Sequence, residues 1–314
     1  MSLNEFALIR TYFSHGFPPS PDTLLGVGDD CSIVRPRSGY ELVQSIDTQV
    51  ADVHFPANAP ADLIAERALR CATSDLAAMG AIPQGFHLAL TLPQADEAWL
   101  SRFSQGLKDC AQEMGLALLG GDTTRGKELV ISIAVQGWVP LGQSLKRSQA
   151  QIGDEIWVSD TIGCAALALA DVLKKPADFS GLAKHYYFPQ VQLELGQKLL
   201  GLAHACMDIS DGLLQDAAHI AKASGVSLRF DAAAIPTPAS CLSEKWWHCV
   251  TGGDDYQLLF TAPKKHHRDL QNLRLEHSGL CCVGEVIARE NNDVQLLAEG
   301  QEIALPAQQG FAHF

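Results

Sequence analysis

The chain has 314 residues, of which 47% are hydrophobic, and carries a formal net charge of -13 at pH 7. This composition predicts a globular protein with enough core for two domains, and the acidic excess without a basic stripe argues against a nucleic-acid partner. No stretch approaches the ~20 apolar residues of a membrane span, and MSLNEFALIR lacks the order of a signal peptide, so we expect a cytoplasmic protein with no membrane partner.

Strand and helix patterns alternate in the first half of the chain. The β-rich runs ELVQSI, GFHLALTL and ELVISIAVQGWV predict strands, and apolar residues at helical spacing predict helices near residues 61–79 and 95–114. The polar stretch GQSLKRSQAQIGD that follows predicts a domain boundary. We therefore expect an α/β or α+β fold in two domains, residues 1–148 and 149–314.

The second half opens with the strand EIWVSD, the glycine turn TIG and an alanine-rich helix through about Lys174. The stretch MDISDGLLQDAAHIAKASG predicts a helix over residues 211–224, capped by Ser210 and stopped at Gly225. Strands VSLRF, DYQLLFTA and CCVGEVIA and a terminal hairpin around VQLLAEGQEIAL complete the pattern. The nine cysteines are scattered without a CxxC pair, which fits neither a zinc site nor a disulfide framework.

Asp75 is the one carboxylate in a run of small and apolar residues, CATSDLAAMGA. Helical spacing puts Asp75 on the inward face of the 61–79 helix, whereas Arg67 and Arg70 fall toward the other side. An unpaired buried carboxylate is costly, so a protein normally protonates it, pairs it or gives it a metal ion. Asp75 is therefore a candidate metal ligand, or else a carboxylate near the helix end at the surface.

Aspartates recur where strands or glycine turns end and where a helix begins. They stand in the segments GVGDD (Asp29, Asp30), QSIDT (Asp47), LLGGDT (Asp122), MDISDG (Asp208, Asp211) and TGGDDY (Asp254, Asp255). Each alone fits a turn or a helix cap, and we expect Asp47 and Asp122 to end strands. Together, hard oxygen ligands with almost no nearby histidine favour Mg²⁺, which in such sites bridges to substrate phosphates. The pattern therefore predicts a site for a phosphate-bearing ligand such as a nucleotide.

Phosphate-binding groups are predicted outside the one segment that looks like a phosphate loop. GDTTRGKE, residues 121–128, nearly matches that loop, but Glu128 replaces the required hydroxyl and a strand follows where a helix is needed. The amides of the SDTIG turn and of the start of the 211–224 helix are better donors. Arg147 either reaches a phosphate or is an ordinary linker charge.

The order of these motifs resembles that of one family. GDD, SxDT, HF, SDLAAMGA, GGDT, RS, MDISDGL, GGDDYQLLF and GFAHF follow one another as in the thiamine-monophosphate kinases, of the superfamily that includes aminoimidazole ribonucleotide synthetase. The resemblance runs from NEFALI to the last residue. It implies an N-terminal α/β domain whose mixed sheet pairs across a homodimer, and a sandwich-like C-terminal α/β domain. It also implies that ATP, as co-substrate, and several Mg²⁺ ions bind in a cleft between the domains.

The resemblance further implies roles for particular residues. The metal-site positions would be Asp30, Ser45, Ile46, Asp47, Asp75, Asp122, Asp208 and Asp211. The ATP contacts would be Gly121, Asp122, Arg147 and Ser210, and the thiamine contacts His54, Asp254 and Phe311. The residues acting in catalysis would be Asp30, Asp75, Asp122, Arg147 and Asp211.

The sequence departs from the family's motifs at a few positions. Ile46 stands where the family has threonine, and it would offer only its carbonyl. RSQA replaces RSGA after the arginine, and GGDDYQ replaces GGEDYE, which shortens the acid at Asp254 and removes a charge at Gln257. From the residues alone, Phe311 fits a C-terminal tail packed on the core as well as a stacking contact.

The implied reaction is phosphoryl transfer from ATP to thiamine monophosphate, giving thiamine diphosphate and ADP. The acceptor phosphate has a second pKa of ~6, so it needs no general base at neutral pH. Two alternatives stay open: another ATP-dependent enzyme of the superfamily, similar to aminoimidazole ribonucleotide synthetase, and a non-catalytic Mg-nucleotide sensor. The sequence does not give the number of Mg²⁺ ions, any need for a monovalent cation, or the dimer contacts.

Overall fold

The computed structural model describes residues 5–241 and 243–313, which form two compact units. Of these residues, the first unit contains 5–76, 81–142 and 171–179, and the second contains 77–80, 143–170, 180–241 and 243–313. Both units combine helices with a sheet, so the predicted α/β class is confirmed. The sequence gives no sign that residues 171–179 belong with the first unit, and the boundary at residues 148 and 149 stays a prediction.

The first unit is built on a four-stranded mixed sheet. Its elements are α1 (Glu5–Leu8), a short π-helix (Ile9–Phe13), β1 (Thr23–Leu25), β2 (Ile33–Val34), β3 (Tyr40–Val50), α2 (Ala61–Ala78, up to Leu76 in this unit), β4 (Ile82–Leu92), α3 (Glu97–Met114), β5 (Ala117–Arg125) and β6 (Val130–Pro140). The strand order is β3-β6-β4-β5, with β4 and β5 parallel and the other neighbours antiparallel. The strands and helices predicted for this half are therefore confirmed.

Side chains of β3 alternate between two sides of the sheet. Ser45 and Asp47 lie on the less exposed side, whereas the side chain of Ile46 lies on the opposite side and is 69% exposed. The strand runs on to Val50 because its pairing with β6 continues as far as Val130. Asp47 therefore lies inside a strand, and the prediction that it ends one is wrong.

Helix α2 is buried on nearly all sides, including its arginines. Arg67 and Arg70, predicted to lie on the side of the helix away from Asp75, are only 2% and 7% exposed, so that side is buried as well. Partners offset the cost of burying both guanidinium groups. Arg70 Nε donates to Glu66 Oε2 at 2.9 Å and Nη2 to Glu113 Oε2 at 2.6 Å, and Arg67 Nε donates to the His54 carbonyl at 3.2 Å.

Among the residues that the structure describes, there is no helix that is both long enough and apolar enough to cross a membrane.

The second unit is built on a seven-stranded sheet. Its elements are β7 (Glu155–Val158), α4 (Cys164–Lys174, up to Ala170 in this unit), α5 (Ala183–Tyr187), α6 (Leu193–Lys198), β8 (Ala205–Ile209), α7 (Leu213–Ser224), β9 (Ser227–Asp231), α8 (Trp246–Thr251), β10 (Gln257–Ala262), α9 (His267–Leu273), β11 (Cys281–Ile287), β12 (Val294–Ala298) and β13 (Gln301–Glu302). The order is β13-β12-β9-β11-β7-β10-β8, and the predicted terminal hairpin is the antiparallel pair β12 and β13.

Each face of this sheet has its own hydrophobic cluster. Ile156 and Val158 of β7 belong to a cluster with α7, where Leu213 and Ile220 are fully buried. Trp157, which points to the other face, belongs to a cluster with α6 and α9. Helices therefore cover both faces, as the predicted sandwich-like α/β arrangement requires.

Candidate active site

Ser45 on β3 and Asp75 on α2 are in direct contact. The Ser45 hydroxyl donates to Asp75 Oδ2 at 2.5 Å, and both side chains are half-buried. Asp47 lies two residues further along the same side of β3. The structure thus brings three of the predicted metal-site residues to one region of the first unit. Ile46 has its side chain on the opposite side, which leaves its carbonyl as the group it can offer.

Asp30, Gly121 and Asp122 lie on other segments of the first unit. Asp30 is exposed in the loop after β1, where its N–H donates to Asp29 Oδ1 at 2.8 Å. Asp122 is exposed within β5, and the prediction that it ends a strand is wrong because the pairing with β4 continues beyond it. A Cβ on Gly121 would overlap the carbonyl oxygen of Leu88 on β4, so this position requires glycine.

His54 is held by both its ring and its backbone. Its Nδ1 accepts the N–H of Val50 at 3.0 Å, so a neutral ring carries its proton on Nε2. Its carbonyl accepts Arg67 Nε at 3.2 Å, and its side chain is half-buried. The orientation of the ring is thereby fixed, with Nε2 as its N–H donor.

The turn between β8 and α7 carries three more predicted site residues. Asp208, at the end of β8, is 4% exposed, and Ser210 and Asp211 follow it half-buried. The N-cap of α7 is Gly212, so the prediction that Ser210 caps this helix is wrong. The physical reason is the carboxylate of Asp216. Its Oδ2 accepts the N–H groups of Ser210, Asp211 and Gly212 at 3.0, 3.0 and 3.1 Å.

Two sets of backbone amides that were predicted to bind phosphate already have protein acceptors. Those of residues 210–212 bond to one carboxylate, as described above. In the turn after β7, the N–H groups of residues 161–163 donate in order to Asp160 Oδ1, Pro236 O and Asp255 Oδ1, at 2.6, 2.9 and 2.7 Å. These six N–H groups are thus paired within the protein. That amides of the two segments bind phosphate stays a prediction.

The predicted thiamine contacts Asp254 and Phe311 are both bonded to the 210–212 turn. The N–H of Asp254 donates to Ser210 O at 2.9 Å, and the N–H of Phe311 donates to Asp211 O at 3.0 Å. Asp254 has a φ of 70°, which a residue other than glycine adopts only when its surroundings impose it. The ring of Phe311 is 45% exposed although its backbone is anchored. Residues predicted for metal, ATP and thiamine therefore meet around one turn of the second unit.

Negative charge is concentrated at this turn. Burial and the charges of Asp208 and Asp211 raise the pKa of Asp216 to about 7. Burial also raises the pKa of Asp255 well above its usual value, with the charges of Asp254 and Asp216 acting in the same direction. A divalent cation would relieve this repulsion, and Mg²⁺ prefers the carboxylate and hydroxyl oxygens that both units offer. The residues present therefore fit Mg²⁺.

Arg147 lies within electrostatic reach of α7. His219 on this helix is exposed, but partial desolvation lowers its pKa, the positive charges of Arg147 and Lys222 lower it further, and Asp211 opposes them. His219 therefore stands near a predicted ATP contact and a predicted metal ligand. Sequence reasoning missed both His219 and Asp216. The signal that could have found them is their position on the helix that directly follows Asp211.

Comparison with known proteins identifies relatives along the whole chain. Residues 28–139 match the AIR synthase related protein, N-terminal domain, and residues 151–296 match the AIR synthase related protein, C-terminal domain. A thiamine-monophosphate kinase from Haemophilus influenzae is 37% identical over 327 residues, covering 100% of this chain and 99% of the relative. A thiamine-monophosphate kinase from Escherichia coli is 39% identical over 333 residues, again covering 100% of this chain and 99% of the relative.

Solved structures share the fold. The crystal structure of a thiamine-monophosphate kinase from Stenotrophomonas maltophilia gives a TM-score of 0.82 at 37% identity, covering 96% of this chain and 99% of that one. AaThiL, complexed with AMPPCP and TMP, gives a TM-score of 0.78 at 24% identity, covering 100% of this chain and 99% of that one, and this likeness concerns the fold alone. The chain therefore belongs to the AIR synthase related proteins and, within them, to the thiamine-monophosphate kinase family.

Proposed function

We propose that the protein transfers the γ-phosphoryl group of ATP to thiamine monophosphate, producing thiamine diphosphate and ADP. The observation that carries this proposal is the identity of 37% and 39% with thiamine-monophosphate kinases over the full length of this chain. AaThiL, which shares the fold, was solved as a complex with AMPPCP and TMP. A nucleotide and a phosphate-bearing acceptor are the ligands that this reaction needs.

The chemistry of the acceptor decides what the protein must do. A phosphate with a second pKa of ~6 is ionised at neutral pH, so its oxygen attacks without a general base. The remaining tasks are to align two anionic ligands in line and to offset the repulsion between them. Mg²⁺, when bound by the protein's carboxylates, would supply charge neutralisation for the phosphates. The task of the protein is to position carboxylates and one arginine around the two anionic ligands.

We assign the Mg²⁺ ligands to hard oxygen groups of each unit. They are Asp30, Ser45, the carbonyl of Ile46, Asp47, Asp75 and Asp122 in the first unit, and Asp208 and Asp211 in the second. The bond from Ser45 to Asp75 supports the first set, because it orients a carboxylate. Burial raises the pKa of Asp216 most, and the charges of Asp208 and Asp211 raise it further. The second of these effects supports the second set, because a cation would offset those charges.

We assign ATP contacts to Gly121, Asp122, Arg147 and Ser210. Gly121 and Asp122 are exposed on β5, and the exposed guanidinium of Arg147 can form paired bonds with a phosphate. Through their charges, Asp30, Asp75, Asp122, Arg147 and Asp211 would act in catalysis.

We assign thiamine contacts to His54, Asp254 and Phe311. The exposed ring of Phe311 offers a surface on which an aromatic ring can stack. Asp254 offers negative charge to the positive thiazolium ring, and His54 offers the N–H of its Nε2.

We further propose a cytoplasmic homodimer with domains 1–148 and 149–314. The outer side of β3 supports the dimer, because Leu42 and Ile46 there are 44% and 69% exposed. Apolar side chains grouped on one sheet face are typical of a surface that another protein covers. The cytoplasmic location is proposed from the sequence.

A product assay tests the kinase proposal. The protein is incubated with ATP, Mg²⁺ and thiamine monophosphate, and ADP and thiamine diphosphate are quantified by chromatography. We expect equal amounts of the two products, and none in the presence of EDTA. Asp122→Asn should lose activity, whereas Asp109→Asn, an exposed carboxylate on α3, should keep it.

Two other outcomes would overturn the proposal. ADP with inorganic phosphate, and no thiamine diphosphate, would show transfer to water and not to thiamine monophosphate, and would favour an ATP-dependent enzyme with another acceptor, such as one similar to aminoimidazole ribonucleotide synthetase. ATP that stays bound without any ADP would favour a non-catalytic nucleotide sensor.

A further inference from the structure

Asp216 is a buried carboxylate in the first turn of α7, where it is 1% exposed. Its Oδ2 alone accepts three backbone N–H bonds, from Ser210, Asp211 and Gly212, at 3.0, 3.0 and 3.1 Å. Above its pKa of about 7 Asp216 is ionised, and bonds to a charged acceptor are stronger than bonds between neutral groups. Three donors that converge on one oxygen therefore fix the conformation of the 210–212 turn.

The carbonyl side of the same turn holds two other segments of the chain. Ser210 O accepts the N–H of Asp254 at 2.9 Å, and Asp211 O accepts the N–H of Phe311 at 3.0 Å. Gln215 Nε2 adds bonds to Asp211 Oδ2 at 3.1 Å and to Phe311 O at 2.8 Å. The turn thus links the buried carboxylate to both segments that carry thiamine contacts.

We propose that Asp216 is a positioning residue that sets the metal, nucleotide and thiamine contacts of the second unit together. The inference rests on the proposed function, which gives Ser210, Asp211, Asp254 and Phe311 their roles. Asp216 acts through the turn and touches no substrate. Because all four contacts share that turn, loss of Asp216 weakens the binding of ATP and of thiamine monophosphate alike.

Substitutions at position 216 separate positioning from plain stability. Asparagine has the same shape and keeps one acceptor oxygen, but a neutral acceptor forms weaker bonds. Alanine leaves three N–H groups without their acceptor. A matched control is Asp154, which is 2% exposed in the same unit. Its Oδ2 accepts the N–H of Gln151 at 2.9 Å and lies 2.9 Å from Nδ1 of His204. It lies outside the assigned site, so Asp154→Asn tests the loss of a buried, hydrogen-bonded charge away from the 210–212 turn.

The experiment compares wild type, Asp216→Asn, Asp216→Ala and Asp154→Asn. Thermal unfolding, hydrogen exchange of residues 210–212, and KM and kcat for both substrates are measured. In Asp216→Ala we expect both KM values to rise by about tenfold and the turn to exchange faster, with a smaller rise in Asp216→Asn. In Asp154→Asn we expect lower stability with both KM values within about twofold of wild type.

Several results would overturn the inference. Unchanged KM values in Asp216→Ala would do so, and so would a rise for one substrate only. If Asp216→Ala shows no cooperative unfolding, Asp216→Asn is judged by the same criteria. Hydrogen exchange, and calorimetric measurement of the binding of ATP with Mg²⁺, do not depend on catalytic turnover. An inactive wild type would therefore refute the proposed function, while these two measurements still decide the role of Asp216.

Discussion

The hydroxyl of Ser45 and the carboxylate of Asp75 meet at 2.5 Å, although the two residues are 30 positions apart in the chain. Ser45 comes from a strand and Asp75 from a helix, and both side chains are half-buried. A hydroxyl that donates to a carboxylate restricts its orientation, as groups behind metal ligands commonly do. The fold therefore restricts the orientation of the carboxylate that we propose as a Mg²⁺ ligand.

Substitutions of this pair should change the dependence of the rate on Mg²⁺. We expect Asp75→Asn to abolish Mg²⁺-dependent turnover while the fold stays intact, because the charged ligand is lost. We expect Ser45→Ala to raise the Mg²⁺ concentration for half-maximal rate by about tenfold, because the substitution removes a proposed Mg²⁺ ligand that also orients Asp75. Rates across a Mg²⁺ titration, with circular dichroism of each variant, check both expectations.

Thr48→Ala is the matched control for this prediction. Thr48 lies on the other side of the same strand, and its hydroxyl shares a hydrogen bond with Ser132 Oγ at 2.8 Å. We expect its Mg²⁺ dependence to stay within about twofold of wild type. Wild-type turnover in Asp75→Asn would show that this carboxylate holds no metal.

The sequence predicts those parts of the fold whose pattern is local. Helices α2 and α3 and most strands follow from apolar spacing, and Gly225 ends α7 with a φ of 69°, as a C-cap glycine does. Strand ends are predicted less well. The extent of β3 and β5 depends on how far a neighbouring strand keeps pairing, and that partner is distant in sequence.

The candidate site shows the same limit for polar groups. The order of the motifs predicts Ser210, Asp211 and Phe311 as site residues. It does not predict that Phe311 is hydrogen-bonded to the turn that contains Ser210 and Asp211. Ser210 has the sequence of a helix cap, yet Asp216 takes the amides because its carboxylate is buried beside them. Arg70 has the spacing of an outward residue, yet it is buried because acidic partners pair with it.

The two glycines that flank α7 should respond differently to alanine. Gly212 has a φ of 127°, and a Cβ there would lie 2.7 Å from Thr251 O, so we expect Gly212→Ala to lower the free energy of unfolding by about 3 kcal/mol. Gly225 has a φ of 69°, and a Cβ added there would have nothing within 4 Å. We therefore expect Gly225→Ala to lower the free energy of unfolding by about 1 kcal/mol. Urea denaturation of both variants measures the difference, and equal losses would contradict the steric argument.

The pKa of His219 should report the charges around it. Its pKa is lowered by partial desolvation first and then by Arg147 and Lys222, and Asp211 opposes them. Removing a positive neighbour favours the imidazolium, so we expect Arg147→Gln to raise this pKa and Asp211→Asn to lower it. An NMR titration of the imidazole in metal-free protein measures both shifts. Lys264→Gln, elsewhere in the second unit, should cause none, and an unchanged pKa in Arg147→Gln would place that side chain away from α7.

The ring of Phe311 should matter for one substrate only. Its backbone stays anchored in Phe311→Ala because the bond to Asp211 O uses the main-chain N–H, so only the 45% exposed ring is lost. We expect the KM for thiamine monophosphate to rise by about tenfold and the KM for ATP to stay within about twofold, as for the loss of one aromatic contact. Phe311→Trp should keep the wild-type KM, and so should Phe6→Ala, which removes a 74% exposed ring elsewhere.

Steady-state kinetics, with each substrate varied in turn, measure the two KM values of each variant. Equal rises in both KM values would mean that the ring supports the turn, as Asp216 does, and does not meet the thiamine.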